Sequence, residues 1–243
     1  MSGIPERLQA VENAIVAACA EARRPPAAVR LLAVSKTFGA DAVLAAVEAG
    51  QRAFGENYVQ EGVDKIRAVA AALPAVLPNM SPDARLAWHF IGPIQSNKTR
   101  PIAEHFDWVH TVEREKIAAR LSEQRPPALG PLNVCVQVNI SGEASKSGAV
   151  PADVAALAEA VARLPNLRLR GLMAIPEPAA DLAAQRAPFA AMRTLFEQLR
   201  ANFGPDFDTL SMGMSADMRA AILEGATIVR VGSAIFGARD YNN

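Results

Sequence analysis

FDTLSMGMSADMRAAILEGATIVRVGS, residues 207–233, reads as one complete strand–helix–strand unit. Its ends, 207–212 and 228–233, are short apolar runs of the kind expected for strands covered on both faces. Between them Ser215-Ala216-Asp217 opens a helix over 218–224, with Ser215 as its N-cap, and Gly225 marks its end. The same alternation runs outward along the chain, with further strands expected at 30–36, 52–57, 86–91, 106–111, 132–140 and 167–175. Pro151-Ala152-Asp153 starts another helix, in which Val154, Leu157, Val161 and Leu164 share a face. Ile4, Leu8, Val11 and Ile15 make an amphipathic helix ahead of the first strand, and the proline-rich pieces 24–26, 74–82 and 125–131 read as connections. Eight strands separated by helices in 243 residues predict a single α/β domain over 1–243, a (β/α)8 TIM barrel. A doubly wound open sheet is the alternative, but no GxGxxG or Walker A loop follows any strand. No helix is expected after strand eight, and the N-terminal helix would cover that gap.

Composition narrows the function classes. A hydrophobic fraction of 51% supplies an ample core and excludes a disordered chain. Lys+Arg and Asp+Glu both number 25, so the formal charge is zero and no nucleic acid held by counterion release is expected. The longest apolar stretch, 68–77, is short and carries Pro74, and the N-terminus lacks a signal peptide's apolar block. No membrane partner is expected. With only Cys19 and Cys135, a disulfide framework is absent, and the expectation is a cytoplasmic monomer.

In such a barrel the chemistry gathers where strands end. Those ends bring forward Lys36, Asn57, His89 with Gly92, Thr111, Asn139 with Ser141, Met173, 211–215 and 230–233. Lys36 closes an apolar strand, where desolvation lowers an ammonium pKa and leaves an amine able to form a Schiff base. The plainer reading is a lysine that reaches solvent from a strand end. After strands seven and eight, Gly213-Met214-Ser215 and Gly232-Ser233 offer backbone N–H groups and a hydroxyl to a phosphate, unless they serve only as caps and close packing. Arg230, inside an apolar strand, needs a partner. An amine, a phosphate cradle and an oriented cation together suggest pyridoxal 5'-phosphate.

The stretches LLAVSKT (31–37), FGENYVQE (54–61), WHFIGPIQSNK (88–98), VNISGEASKSG (138–148), GLMAI (171–175), SMGMSADM (211–218) and VRVGSAIFGARDY (229–241) carry a specific resemblance. In order and over essentially the whole chain, they resemble the pyridoxal phosphate homeostasis protein family, also called proline synthase co-transcribed homologues. That family is similar to the N-terminal barrel of alanine racemase, a fold-type III pyridoxal phosphate scaffold. The resemblance implies Lys36 as the Schiff-base lysine and Arg230 facing the pyridine nitrogen. It implies Ser215, Gly232, Ser233 and the Met214 backbone on the phosphate, with Asn57, His89 and Met173 as pocket neighbours. Lys146 would lie near the cofactor entrance.

The resemblance also implies restricted chemistry. Alanine racemase takes its second base, a tyrosine, from a C-terminal β-domain, and the expectation is that this chain, ending at Asn243, has none. Its tyrosines are Tyr58 and Tyr241. An arginine at the pyridine nitrogen keeps its own proton and so weakens the ring as an electron sink. The expected function is to hold pyridoxal phosphate through Lys36 in intracellular vitamin B6 and amino-acid homeostasis, without catalysis, with apo pyridoxal phosphate enzymes as recipients. The alternative is an amino-acid racemase with Lys36 as one base. A metal-dependent hydrolase using His89, His105 and His110 is disfavoured, because no HExxH or carboxylate-rich pattern accompanies them. Cys19, Cys135, Trp88 and Trp108 read as packing residues.

Overall fold

The strands β1 (Arg30–Val34), β2 (Ala53–Glu56), β3 (Ala87–Phe90), β4 (Trp108–Val112), β5 (Leu132–Gln137), β6 (Leu167–Met173), β7 (Thr209–Ser211) and β8 (Ile228–Val231) are all parallel and close in chain order. Closure is made by β1 on β8, with Leu31 opposite Val229 and Leu32 opposite Arg230. This computed structural model describes residues 3–78, 85–142 and 147–238. Around the barrel lie α1 (Ile4–Glu21), α2 (Ala40–Glu48), α3 (Val59–Val76), α4 (Thr99–His105), α5 (Glu115–Gln124), α6 (Val154–Ala162), α7 (Leu182–Phe203), α8 (Met218–Leu223) and α9 (Ser233–Phe236).

The two-residue period of each strand sorts its side chains into two shells. Outward-facing Ala33, Phe54, Trp88, Phe90 and Val109 join the apolar faces of the helices in one large core. Phe54 packs on Trp88 and Phe90 on Phe106, with ring centres 5.5 and 5.4 Å apart. Inside the barrel, Leu32, Val34, Ile91 and Ile228 form one small apolar group, and Trp108, Cys135 and Met173 another. Burial therefore fills the barrel axis with side chains and leaves only its ends for a ligand.

Three local expectations are corrected. A short helix, α9, does follow strand eight, because Ile235 and Phe236 N–H groups both close on Gly232 O at 2.9 Å. The helix over α8 starts at Met218 with Asp217 as its N-cap, and Ser215 belongs to the preceding turn, closed by Asp217 N–H on Met214 O at 3.2 Å. Pro74 lies within α3, not in a connection. A proline this near a helix end removes one backbone bond, and Leu77 N–H still closes the last turn on Leu73 O at 2.9 Å.

The N-terminal helix packs where expected, against α2, α8 and α9. Leu8, Val11, Ile15, Ala18 and Cys19 are its buried stripe. Arg24, just beyond it, donates to Ile222 O and Ala226 O at 2.8 Å each, tying α1 to the β8 side of the barrel. Arg24→Ala is expected to lose about 2 kcal/mol, since charged donors to carbonyls are worth roughly that much. A melting scan should then show a drop of roughly 4–8 °C, and an unchanged transition would reject the tie. Among the described residues, no helix is long and apolar enough to cross a membrane.

Candidate functional site

The chain runs on past the ends of β1, β2, β3, β6, β7 and β8 to meet at the C-terminal mouth. There Lys36, Asn57, Ile91, Ile175, Met214, Ser215, Ala216, Arg230, Gly232 and Ser233, with Val34 as floor, enclose a cavity of about 280 Å³. A second chamber of about 440 Å³ adjoins it, sharing Asn57, Ile91, Ile175 and Met214 and adding Thr111, Gln137 and Ser147. The first chamber is cationic on two walls, through Lys36 and Arg230, with small residues between them. A Cβ on Gly232 would come within 3.2 Å of Val34 O, so glycine there keeps the backbone close to β1 and the cradle open. Asn57 Oδ1 is buried with no hydrogen-bond partner among the described residues, an acceptor left open at the junction of the two chambers.

Arg230 is 3% exposed. It donates through Nη1 to Ser211 Oγ at 2.8 Å and through Nη2 to Ala174 O at 3.0 Å. Burial lowers its pKa to about 10, with the Asp217 carboxylate pulling the other way, so it stays charged at neutral pH. Behind it the polar contacts continue down the barrel axis: His110 Nδ1 lies 2.8 Å from Ser211 Oγ, and His110 Nε2 lies 2.8 Å from His89 Nδ1. Both imidazoles are driven toward the neutral form by burial, His89 to about 3 and His110 well below its ordinary 6.5. Arg230 is thus backed by neutral donors and acceptors and makes no ion pair among the described residues.

The Met214 N–H, expected on a phosphate, is donated instead to Asp217 Oδ1 at 2.6 Å. An aspartate three residues on can reach back across a turn, which the strand-to-helix reading did not include. The Met214 side chain still borders both chambers, 37% exposed.

Seven of the residues singled out from sequence, Lys36, Asn57, Met214, Ser215, Arg230, Gly232 and Ser233, line the first cavity. His89 and Met173 do not. Both face inward one layer deeper, His89 stacked on Trp108 at 5.3 Å between ring centres and Met173 against Trp108 and Cys135. The residues at cavity level are Ile91 and Ile175, two positions further along each chain, and the strand period would have found them. Ser211 and Asp217 were not assigned these contacts from sequence. Lys146 lies outside the described residues. His105 sits apart on α4 beside Arg67, and among the described residues no group of His, Cys, Asp or Glu could hold a metal ion. Cys135, with its thiol pushed up to about 12 by burial, is a packing residue.

The family model for the alanine racemase N-terminal domain matches residues 7–240. The pyridoxal phosphate homeostasis protein of Pseudomonas aeruginosa is 63% identical over 241 residues, covering 99% of this chain and 98% of its own. The protein of the same name from Escherichia coli is 53% identical over 242 residues, covering 100% and 99%. Among solved structures, PipY of Synechococcus elongatus with pyridoxal phosphate bound superposes with a TM-score of 0.75 at 36% identity, covering 96% of this chain and 100% of that one.

Proposed function

Because the chain belongs to the pyridoxal phosphate homeostasis proteins, within the alanine racemase N-terminal domain family, we propose that its barrel mouth binds pyridoxal 5'-phosphate reversibly, with Lys36 as Schiff-base partner, and that the protein stores and releases this cofactor in the cytoplasm without turning over a substrate. The observation that carries the reading is the pairing of Lys36 and Arg230 across one cavity, with Ser215, Gly232 and Ser233 between them. The residues present suit the group. Ser215 and Ser233 offer hydroxyls, and the first N–H groups of α9 have no intrahelical acceptor, which suits a phosphate. Asn57 Oδ1 offers an acceptor. When bound, pyridoxal phosphate supplies an aldehyde for an amine and a ring that can take up electrons.

Arg230 limits the second property. Its guanidinium keeps its proton, and the groups bonded behind it are neutral Ser211 and His110, with no carboxylate among the described residues there that could protonate a ring nitrogen. Racemisation would further need a second acid–base group opposite Lys36. Among the described residues lining the two chambers there is no tyrosine, histidine, cysteine or carboxylate. Tyr58 follows Asn57 but is 56% exposed, and Tyr241 lies outside the described residues.

The deciding experiment is a visible absorbance spectrum of protein mixed with pyridoxal phosphate, then borohydride reduction and peptide mass spectrometry, with inversion of alanine and serine assayed in parallel. The expected result is a Schiff-base band, one adduct on Lys36 and no inversion. An adduct elsewhere, or none, would remove Lys36 from its role. Inversion that disappears in Lys36→Ala would make the protein a racemase.

A further inference from the structure

Lys36 sits in a turn closed by Phe38 N–H on Ser35 O at 3.1 Å, and the next residue, Thr37, has φ +69°. The third position of such a turn normally takes glycine, and a β-branched residue held there is strained. The two neighbours of Lys36 are gripped from outside the barrel wall. Glu61 Oε1 accepts the Thr37 N–H at 2.5 Å and Lys65 Nζ at 2.9 Å. Lys65 Nζ also donates to Ser35 O at 2.7 Å and to Glu56 Oε1 at 2.7 Å, while Ser35 Oγ donates to the same Glu56 oxygen at 2.6 Å. Three acceptors satisfy the ammonium, and the contacts close a ring that contains Lys36.

Glu56 is 0% exposed and Lys65 5%. Burial raises the Glu56 carboxyl above its ordinary range, countered mainly by the Lys65 charge, and its second oxygen has no partner among the described residues. An ion pair so placed stabilises a fold poorly compared with apolar side chains of the same volume, so stability alone does not account for it. Both ends of the cluster fall on the backbone beside one lysine.

We propose that Glu61, Lys65 and Glu56 form a positioning clamp that fixes Ser35 and Thr37 and so aims the Lys36 amine into the cavity. This rests on the reading of Lys36 as the Schiff-base lysine. None of the three lines the cavity, so the clamp acts through the backbone. It should govern formation of the covalent bond and leave recognition of the phosphate and ring unchanged.

The test separates those two steps. Pyridoxal phosphate reports on both, through stopped-flow absorbance and borohydride trapping. Pyridoxamine phosphate, which has an amine in place of the aldehyde, reports on recognition alone, by calorimetry. Glu61 is partly exposed and suits substitution. Glu61→Ala is expected to form the Lys36 adduct roughly tenfold more slowly, the scale of one lost charge-assisted hydrogen bond, with pyridoxamine phosphate affinity unchanged. Glu61→Gln, whose amide oxygen can still accept the Thr37 N–H, is expected to recover most of the rate. The neutral pair Glu56→Gln with Lys65→Met removes the buried charges together and should show the same selective loss if the alanine variant does not fold. An adduct forming at the wild-type rate in Glu61→Ala, equal losses with both compounds, or no recovery with glutamine would overturn the clamp. Wild-type protein that takes up neither compound would overturn the cofactor reading and the clamp with it, whereas wild-type uptake beside an indifferent Glu61→Ala removes only the clamp.

Discussion

Acidification from pH 7 to pH 5 is expected to remove about 2 kcal/mol of folding stability through His89, with His110 adding to the loss in the same direction. The two imidazoles are 3% and 0% exposed and share one hydrogen bond inside the barrel. Charging either would place a cation in the interior beside Arg230, with no carboxylate among the described residues bonded to the chain of contacts. The folded state therefore refuses protons over the range in which the unfolded chain accepts them, from the ordinary 6.5 down to about 3 for His89 and well below 6.5 for His110. A base whose folded pKa is depressed contributes stability that is present above the unfolded pKa and lost as pH falls below it. Between pH 7 and pH 5 that loss integrates to about 2 kcal/mol for His89, and His110 works in the same direction.

Urea titrations at pH 7, 6 and 5 on the protein without cofactor would measure it. The useful quantity is the difference between wild type and His89→Gln/His110→Gln, because other groups also titrate. Asp208, where burial raises the carboxyl but hydrogen bonds from Arg170 and Thr209 with nearby guanidinium charge outweigh it and hold it low, loses its contribution at lower pH, and buried Glu56 works in the opposite sense. The double variant should be the less stable at pH 7 and nearly flat over the range that costs wild type about 2 kcal/mol or more. Equal pH slopes in the two proteins would mean that the folded barrel takes up protons at these imidazoles as readily as the unfolded chain does, so that they are charged at pH 5. Arg230 would then be backed by a cation.

The eight strands were readable from sequence because each is a compact apolar run between helical stretches, and both faces of a barrel strand are buried. Lys36 and Arg230 were readable for a related reason: a charge inside or just beyond such a run costs too much to be incidental. The level of the cavity was not. Whether His89 or Ile91, Met173 or Ile175, reaches the mouth depends on strand tilt and stagger around the closed barrel, which no single strand records. The clamp was hidden for a different reason. Glu61 and Lys65 have the spacing of an ordinary exposed pair on a helix, and only the packing of α3 against β2 buries the lysine beside Glu56.

Gly171→Ala is expected to prevent folding under ordinary conditions, at a cost above about 4 kcal/mol, comparable with the whole stability margin of many domains. In β6 and β5, Val134 pairs with Leu169 but Cys135 pairs with Gly171, so Arg170 is an extra residue bulged out of register. Gly171 takes φ +151° to absorb it, and a Cβ there would overlap Thr209 O and lie 2.7 Å from Thr209 C. Those atoms are backbone of β7, which cannot retreat without opening the barrel. The bulge also sets both ends of the axis. Below it, Arg170 turns to Asp208 at 2.6 Å and lies over Trp108 at 4.9 Å. Above it, the restored alternation sends Met173 inward and turns Ala174 O to Arg230. Soluble expression and circular dichroism would measure the effect, and a cooperative transition within 1 kcal/mol of wild type would show that the barrel closes without the bulge. In the sequence, GLMAI passes for an ordinary strand end, because an extra residue shows only against the neighbour it slips past.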